Sequence, residues 1–542
     1  MPDQHLASFD VCIAGSGLYG STLACILAKQ GLNVLILEPG RHPRFSLGEA
    51  LLPQSAIWPF MLSERYGVPE IGHLSHADRI VDHVTPSCGL KHSIGFAHHT
   101  AGAPLQPHNL QQLVPPHLPF YSESHLYREE VDHFMVRTAA EYGAQLHEDC
   151  AIESVDFEED AASISTSQGE FRASYYVDAS GRNSKLVEQL NLRDNAPEAA
   201  HHARAIFTHV EGLRPMDDIL QAPSEGRRLH DGTFHHMFEG GWMWVIPFDN
   251  FERSTSNRAS IGLMLDPRIH PERSDLDAEA EFMDIVSRFP DLARHMEGIR
   301  SVRPFTRTGR LQYSASVSVG DRWMLSPSTY GFIDALYSNG LVHTFESVHF
   351  AAHHLLSAFG VIHGHVAEGD FNASAFVAMD RLHRRQWIGA DRMISSAYKA
   401  MGSADTWQAW TQYWLAQVLF GDLWLQRSCF HYFASRDVEQ FDTFLREERP
   451  GVSAPLTLEK QRLLDDLSRL LGEGAGAEAM FARIREEDWL PRHVFDWGNP
   501  EAFSVDFSRP DVVGPLLEWG FTASPPALRR GLFDFPLPEA MA

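Results

Sequence analysis

Gly15, Gly17 and Gly20 stand at the spacing Gly-x-Gly-x-x-Gly directly after the apolar run Val11-Cys12-Ile13-Ala14. In such a turn the first glycine allows the chain to tighten and the second lets backbone amides approach a pyrophosphate. The third packs the following helix against the strand, so that the helix N-terminus faces the anion. Glu38 closes a second apolar run about 20 residues on, where a carboxylate can accept hydrogen bonds from a ribose. The chemistry offered is dinucleotide binding, and this fingerprint alone does not choose between NAD and FAD.

Other reactive side chains are distributed unevenly. Of 45 basic residues only Lys29, Lys91, Lys185, Lys399 and Lys460 are lysines. An amine can shed its proton and act as a nucleophile where a guanidinium cannot, so a lysine inside a motif stands out. The 30 histidines include the pairs His98-His99, His201-His202, His235-His236 and His353-His354, without a HExxH or a tight His/carboxylate set; no metal site is expected. Cys12, Cys25, Cys88, Cys150 and Cys429 lie far apart and form no CxxC, which fits a reducing cytoplasm.

The elements that must position these groups begin with a strand, the glycine turn, a helix over residues 21–30 and a strand over 33–38, a βαβ unit. Strand-like stretches at 174–177, 242–247, 259–264 and 323–326 then alternate with helical ones such as 128–142. Beyond residue 390 the pattern reads as helical throughout. Trp407, Trp410 and Trp414 fall at i, i+3 and i+7, a stripe best read as core packing, and residues 456–486 form a charged helical stretch interrupted by glycines at 472–476. The proline-rich residues 103–119 read as a loop.

A chain of 542 residues with 44% hydrophobic and 21% charged side chains has ample apolar surface to bury. Its formal net charge of −26 disfavours nucleic acid and anionic membrane surfaces as partners. No run approaches about 18 uninterrupted apolar residues, and residues 1–9 lack a basic stretch leading into an apolar one, so neither a membrane span nor a signal peptide is expected. A cytoplasmic location follows.

Two further segments favour FAD. Asp178-Ala179-Ser180-Gly181, after one strand, and Val319-Gly320-Asp321, before another, resemble the DG and GD motifs that line the FAD ribose and pyrophosphate in the flavin monooxygenase superfamily. Within that superfamily, residues 42–50, with Arg44 and Glu49, and the WxWxIP motif Gly241-Trp242-Met243-Trp244-Val245-Ile246-Pro247 resemble the flavin-dependent halogenases. Residues 231–239, which lead into the second motif, resemble the pyrrolnitrin-type and tetracycline-type branch. The resemblance implies an α/β fold: a PHBH-like, Rossmann-type FAD-binding core with a mixed substrate-side sheet over residues 1–390, and a helical C-terminal extension over 391–542.

It also implies a reaction. FADH2, supplied in trans by a separate NAD(P)H-dependent flavin reductase, reacts with O2 to a flavin C4a-hydroperoxide. Chloride or bromide attacks it, and the hypohalous acid travels to a lysine beside the substrate. The segment Cys88-Gly89-Leu90-Lys91, followed by Phe96, matches the lysine motif, and His98 on the same segment is a candidate general base or orienting group. Trp242 and Trp244 would point to one face of a strand. Taken alone they read as core residues; in the family the two tryptophans keep substrate from the flavin, in a channel motif that Ile246 and Pro247 complete. In residues 331–341 the resemblance assigns Gly331 and Ile333 to the cofactor and Ser338, Asn339 and Gly340 to the halide. Here Ala335 stands where the family has proline, which should loosen the turn, and Asn339 replaces a small or basic residue. Tyr337 occupies the place of the glutamate that partners the lysine in tryptophan halogenases, which argues against free tryptophan. The implied substrate is a free, electron-rich aromatic small molecule, a phenol or pyrrole of natural-product biosynthesis. The alternatives are a flavin hydroxylase or epoxidase that has lost halide use, and a non-catalytic flavin-binding pathway partner.

Overall fold

Val11, Cys12, Ile13 and Ala14 are all buried, as a short apolar run should be when both faces of its sheet are covered. They end the strand Ser8–Ala14, which pairs in parallel with Gly169–Asp178 on one side and Val34–Leu37 on the other. Val34–Leu37 pairs in parallel with Gln145–His147, and Gly169–Asp178 with Trp323–Leu325. The register sets Ala14 beside both Asp178 and Leu37, and Asp178 beside Leu325. The carboxyl ends of these five parallel strands therefore open on one edge. The helix Leu18–Lys29 is buried along nearly its whole length and packs against the helices Arg128–Glu141 and Asn339–Ala358.

The computed structural model describes residues 8–116, 118–195, 197–220, 227–446, 457–491 and 504–536. The sheet above belongs to a first unit made of Met1–Thr85, Tyr127–Ala199 and Gln312–Ala390. Pro86–Leu126, Ala200–Leu311 and Asp391–Ala542 form a second unit, so residues 391–542 group with two earlier stretches of the chain.

Among the described residues the second unit is built on a nine-stranded sheet. Its central run, Arg204–Glu211, Arg258–Leu265, Gly241–Pro247 and Thr233–Phe238, is antiparallel; Ile94–His98 then joins Thr233–Phe238 in parallel and pairs with Leu110–Val114. Strand alternation gives each face its own set of side chains. Phe234, Met243, Val245 and Ile261 pack into a core with Phe282, Ile285 and Leu292 of the helices Ala278–Val286 and Pro290–His295. Phe96, His235, Trp242 and Trp244 share the other face, where the 32-residue helix Ala404–Ser435 sets Trp407 and Trp414 against Phe96 with ring centroids 5.5 and 5.9 Å apart. The tryptophan stripe is thus core, with Trp407, Trp410 and Trp414 all at most 3% exposed.

Two expectations need correction. The proline-rich residues 103–119 are not loop throughout, because Leu110–Val114 contains no proline and completes a ladder with Ile94–His98. The last third is not all helix either: Ser504–Asp506 adds a parallel strand beside Gln112–Val114. A charged helix over Thr457–Gly472 and a second over Ala477–Arg485 flank the glycine-rich break; residue 456 lies outside the described residues. Among the described residues no helix is long and apolar enough to cross a membrane.

Candidate active site

The glycine turn lies at the open edge of the first sheet. Gly15 has a φ of +94°, and a β-carbon there would meet the Ala179 carbonyl oxygen at 2.6 Å. Glu38, 5% exposed, accepts from the Ser16 amide (3.1 Å) and hydroxyl (2.6 Å), from the Gly40 amide (3.0 Å) and from Arg44 Nη2 (3.0 Å). Burial raises its pKa, but the Ser16 and Gly40 hydrogen bonds and the Arg44 guanidinium outweigh that and hold it below the usual carboxylate range. Asp178, fully buried, accepts from the Ser180 amide at 3.0 Å and the Ser184 hydroxyl at 2.7 Å. For it burial wins, and its pKa rises. Gly181 donates to Thr329 Oγ1 (2.9 Å), and the Ser326 amide to the Asp178 carbonyl (2.7 Å), so residues 326–329, which carried no recognisable motif, join this edge.

The loop bearing Arg44 and Glu49 is pinned from the helix Arg128–Glu141. Arg128, held by both carboxylate oxygens of Asp132, donates to the carbonyls of Leu47 (2.6 Å) and Gly48 (3.0 Å). Gly320 and Asp321 do not reach the cluster. They form the turn before Trp323–Leu325, at the amino end of a strand whose carboxyl end carries the site, and Asp321 accepts from the Ala373 amide. Gly331 lies under the Trp387 indole, and the Ile333 carbonyl accepts from Gln312 at 2.6 Å. At the start of the helix Asn339–Ala358, Tyr337 (φ 69°) and Ser338 (φ 53°) take left-handed backbone, a strained pair for residues with a Cβ. The Ser338 amide is spent on the Ala335 carbonyl (3.1 Å), whereas Asn339 and Gly340 contribute helix-start amides that have no intrahelical acceptor.

The second unit holds the amine. Lys91 is 1% exposed, and its Nζ donates to Glu123 Oε2 at 2.8 Å, with the glutamate side chain equally buried. Burial pulls the ammonium pKa down against the attraction of Glu123 and pushes the Glu123 carboxyl up against the attraction of Lys91. Each partner is moved toward its neutral form. Glu123 Oε1 is buried and accepts from no described residue. Asp422, which accepts from Gln426 at 2.7 Å, has a pKa well above the carboxylate range, through burial first and the neighbouring Glu123 charge second.

The strand pair Gly89–Leu90 and Ser124–His125 aligns these groups. A β-carbon on Gly89 would meet the Pro247 carbonyl oxygen at 2.4 Å. Asn250 clamps Leu90 from both sides, its Oδ1 accepting from the Leu90 amide and its Nδ2 donating to the Leu90 carbonyl, each at 2.9 Å. His125 donates from Nδ1 to the Pro247 carbonyl (2.7 Å) and accepts at Nε2 from the Thr233 hydroxyl (2.8 Å). Trp242 and Trp244 are 1% and 6% exposed with centroids 5.8 Å apart; Trp244 donates to Ser260, while the Trp242 N–H is buried with no acceptor among the described residues. His98 donates from Nε2 to the Met401 carbonyl at 2.9 Å. Ile246 and Pro247 are the end of the motif strand. Lys185, on a short helix, pairs with Glu188 at the surface. Sequence reasoning missed Glu123, Asn250 and His125; a carboxylate in the aromatic run Phe120-Tyr121-Ser122-Glu123 was the one available hint. Among the described residues no cluster of His, Cys, Asp or Glu side chains is arranged to hold a metal.

A dinucleotide-binding parallel sheet, joined in one chain to a large mixed sheet that carries a buried, carboxylate-paired lysine, defines a flavin-dependent oxidoreductase. The glycine turn, Glu38, Arg44 and the open strand edge fit the pyrophosphate and ribose of FAD.

Comparison with known proteins makes the class specific. Residues 119–417 match the tryptophan halogenase family and residues 13–49 an NAD(P)-binding Rossmann-like domain. The chain belongs to the tryptophan halogenase family of flavin-dependent halogenases and is an FAD-dependent enzyme. It is 36% identical to the monodechloroaminopyrrolnitrin halogenase PrnC of Pseudomonas fluorescens over 80% of this chain and 75% of that protein. It is 33% identical to the tetracycline 7-halogenase of Kitasatospora aureofaciens over 96% of this chain and 94% of that one. The crystal structure of halogenase PltM in complex with phloroglucinol and FAD superposes with a TM-score of 0.84 at 30% identity, covering 92% of this chain and all of that one.

Proposed function

We propose that the enzyme chlorinates or brominates an electron-rich aromatic small molecule, a phenol or pyrrole of natural-product biosynthesis, using Lys91 to deliver the halogen. The observation that carries this reading is Lys91 itself: a buried amine, hydrogen-bonded to Glu123, whose charge acts on His235 of the face that also carries Phe96 and Trp242. The names of the relatives, which include pyrrolnitrin-type and tetracycline halogenases, support the substrate class.

Gly15, Gly17, Gly20, Glu38, Arg44, Glu49, Asp178 and Gly181 would hold FAD, and Ser326 to Thr329 would complete that edge. Bound as FADH2, supplied by a separate NAD(P)H-dependent flavin reductase, the cofactor contributes the two-electron oxidation of halide by O2. Asn339 and Gly340, following the strained turn at Ser338, would hold the halide through backbone amides. The hypohalous acid then hydrogen-bonds to Lys91 or converts its neutral amine to a haloamine with loss of water. Burial favours that neutral form. Attack by the arene forms the carbon–halogen bond, and the displaced ring proton leaves to a base; Glu123, with one oxygen unoccupied, is the nearest acceptor identified.

The test incubates candidate phenols and pyrroles with FADH2, O2 and chloride or bromide, with mass-spectrometric detection. Halogenated product from the wild type and at least about a hundredfold less from Lys91→Met is expected, a loss of the size that removal of a reacting side chain causes. Product undiminished in the variant would overturn the role of Lys91, and an oxygenated product indifferent to halide would overturn halogenation.

A further inference from the structure

His235 and His236 are adjacent on the strand Thr233–Phe238, and alternation sends them to opposite faces. His236 joins a buried chain, bonded to His99 Nε2 and to His295 Nδ1 at 2.8 Å each. His235 turns instead to the face of the aromatic wall, its ring 4.9 Å from Phe96 and 5.6 Å from Trp242. Its Nδ1 lies 3.1 Å from the Gly95 carbonyl. A carbonyl only accepts, so Nδ1 carries the ring proton and Nε2 is left as a lone-pair acceptor. No described residue donates to it. The residue is nonetheless 5% exposed, and the charge of Lys91 acts on it. An acceptor without a donor on a largely buried ring, set against flat aromatic rings and within the field of the Lys91 charge, asks for an aromatic ligand that brings its own donor.

We propose that His235 Nε2 accepts a hydrogen bond from the hydroxyl or ring N–H of the aromatic substrate and thereby fixes which ring carbon faces Lys91. The inference rests on the halogenase reading above, and it makes His235 a substrate-binding residue where the sequence had pointed to His98. Burial, helped by the Lys91 charge and opposed by the bond to Gly95, keeps the ring's pKa at about 3. The imidazole therefore accepts the hydrogen bond without taking the proton, and it stays in the accepting form throughout the neutral range.

The test is equilibrium binding of phloroglucinol and of its trimethyl ether to the FAD-loaded protein by calorimetry, alongside halide-dependent turnover. The two probes share a ring and differ in their donors. The wild type should bind the phenol about tenfold more tightly than the ether, the value of one hydrogen bond. His235→Phe, which keeps the stacking, should abolish that preference while leaving ether affinity within about twofold. His235→Gln, whose amide oxygen can stand in for Nε2, should retain part of it. Should the Phe variant misfold, His235→Met supplies the second apolar substitution. Equal binding of the two probes by the wild type, or an undiminished preference in the apolar variants, overturns the inference. Preference retained with no halogenated product from the wild type would instead sink the halogenase reading and leave this inference standing.

Discussion

His125 ties the Lys91 strand pair to the end of the WxWxIP motif, and its protonation should loosen that tie. The ring is fully buried, donates to the Pro247 carbonyl and accepts from Thr233; both nitrogens are committed. Burial, opposed by the Pro247 hydrogen bond and assisted by the Lys91 charge, lowers its pKa to about 3. The unfolded chain restores a pKa of about 6.5, so between the two values the unfolded state binds the extra proton and stability falls as the pH falls. Linkage puts the penalty from this one residue at roughly 0.2 kcal/mol at pH 7 and roughly 2 kcal/mol at pH 5. Other groups titrate in the same interval, and the buried carboxyls Glu123, Asp178 and Asp422, with raised pKa values, act in the opposite sense. The comparison must therefore be differential. Urea unfolding of the wild type and of His125→Gln, measured at both pH values, should show the variant less stable at pH 7 through its lost packing and hydrogen bonds. Its further loss on acidification to pH 5 should be smaller than the wild type's by about 2 kcal/mol. Parallel pH dependences for the two proteins would refute the claim that His125 is buried as a neutral ring.

Gly89→Ala drives a β-carbon into the Pro247 carbonyl at 2.4 Å and the Asn250 amide oxygen at 2.6 Å, and should cost about 2–4 kcal/mol in urea unfolding together with most halogenating activity. Glu123→Gln removes the charge that holds the Lys91 ammonium against its burial; halogenation should fall at least about tenfold and its acidic pH limb should move downward, with FAD affinity by fluorescence titration unchanged. Ala335 has a φ of −85°, near the proline range, and its turn is already closed by Leu336 N–H to Asp334 Oδ1 (2.9 Å), so Ala335→Pro should stabilise the protein by about 0.4–1 kcal/mol and lower the halide concentration needed for half-maximal rate.

Features set by near neighbours were readable from the sequence, and those set by sheet direction or by distant pairing were not. The glycine turn and Glu38 belong to one βαβ unit, so spacing was enough to find them. A Gly-Asp turn looks the same at either end of a strand, and only strand pairing sets Gly320-Asp321 at the end of Trp323–Leu325 away from Asp178 and the glycine turn. Residues 326–329 carry no motif and reach the site through Asp178 and Gly181. Glu123 lies 32 positions from Lys91, and the strand pairing of Gly89–Leu90 with Ser124–His125 brings the two together. Among the histidines, nearness to Lys91 in the sequence favoured His98, which shares the face of Phe96, and alternation along the neighbouring strand brings His235 to that same face against the Phe96 ring. The helical C-terminal region was legible from its periodicity, but the three-residue strand Ser504–Asp506 is too short to leave a pattern.

The WxWxIP motif is explained only in part by its two tryptophans. Both indoles are buried on one face, as core residues would be, and either role accounts for them. The end of the motif is more particular. Pro247 turns its carbonyl to His125, leaves room beside it for a residue without a β-carbon at position 89, and is followed after three residues by the Asn250 side chain that clamps Leu90. Leu90 precedes Lys91, whose backbone amide is held in turn by the Glu123 carbonyl at 3.2 Å. A primary amine on four rotatable bonds gains precision only when its backbone is fixed and its head group has one partner. The motif supplies the first condition and Glu123 the second. A Gly-x-Lys segment and a WxWxIP segment some 150 residues apart thus form one mechanical unit, and a substitution that moves the proline carbonyl should displace Lys91 even with both tryptophans intact.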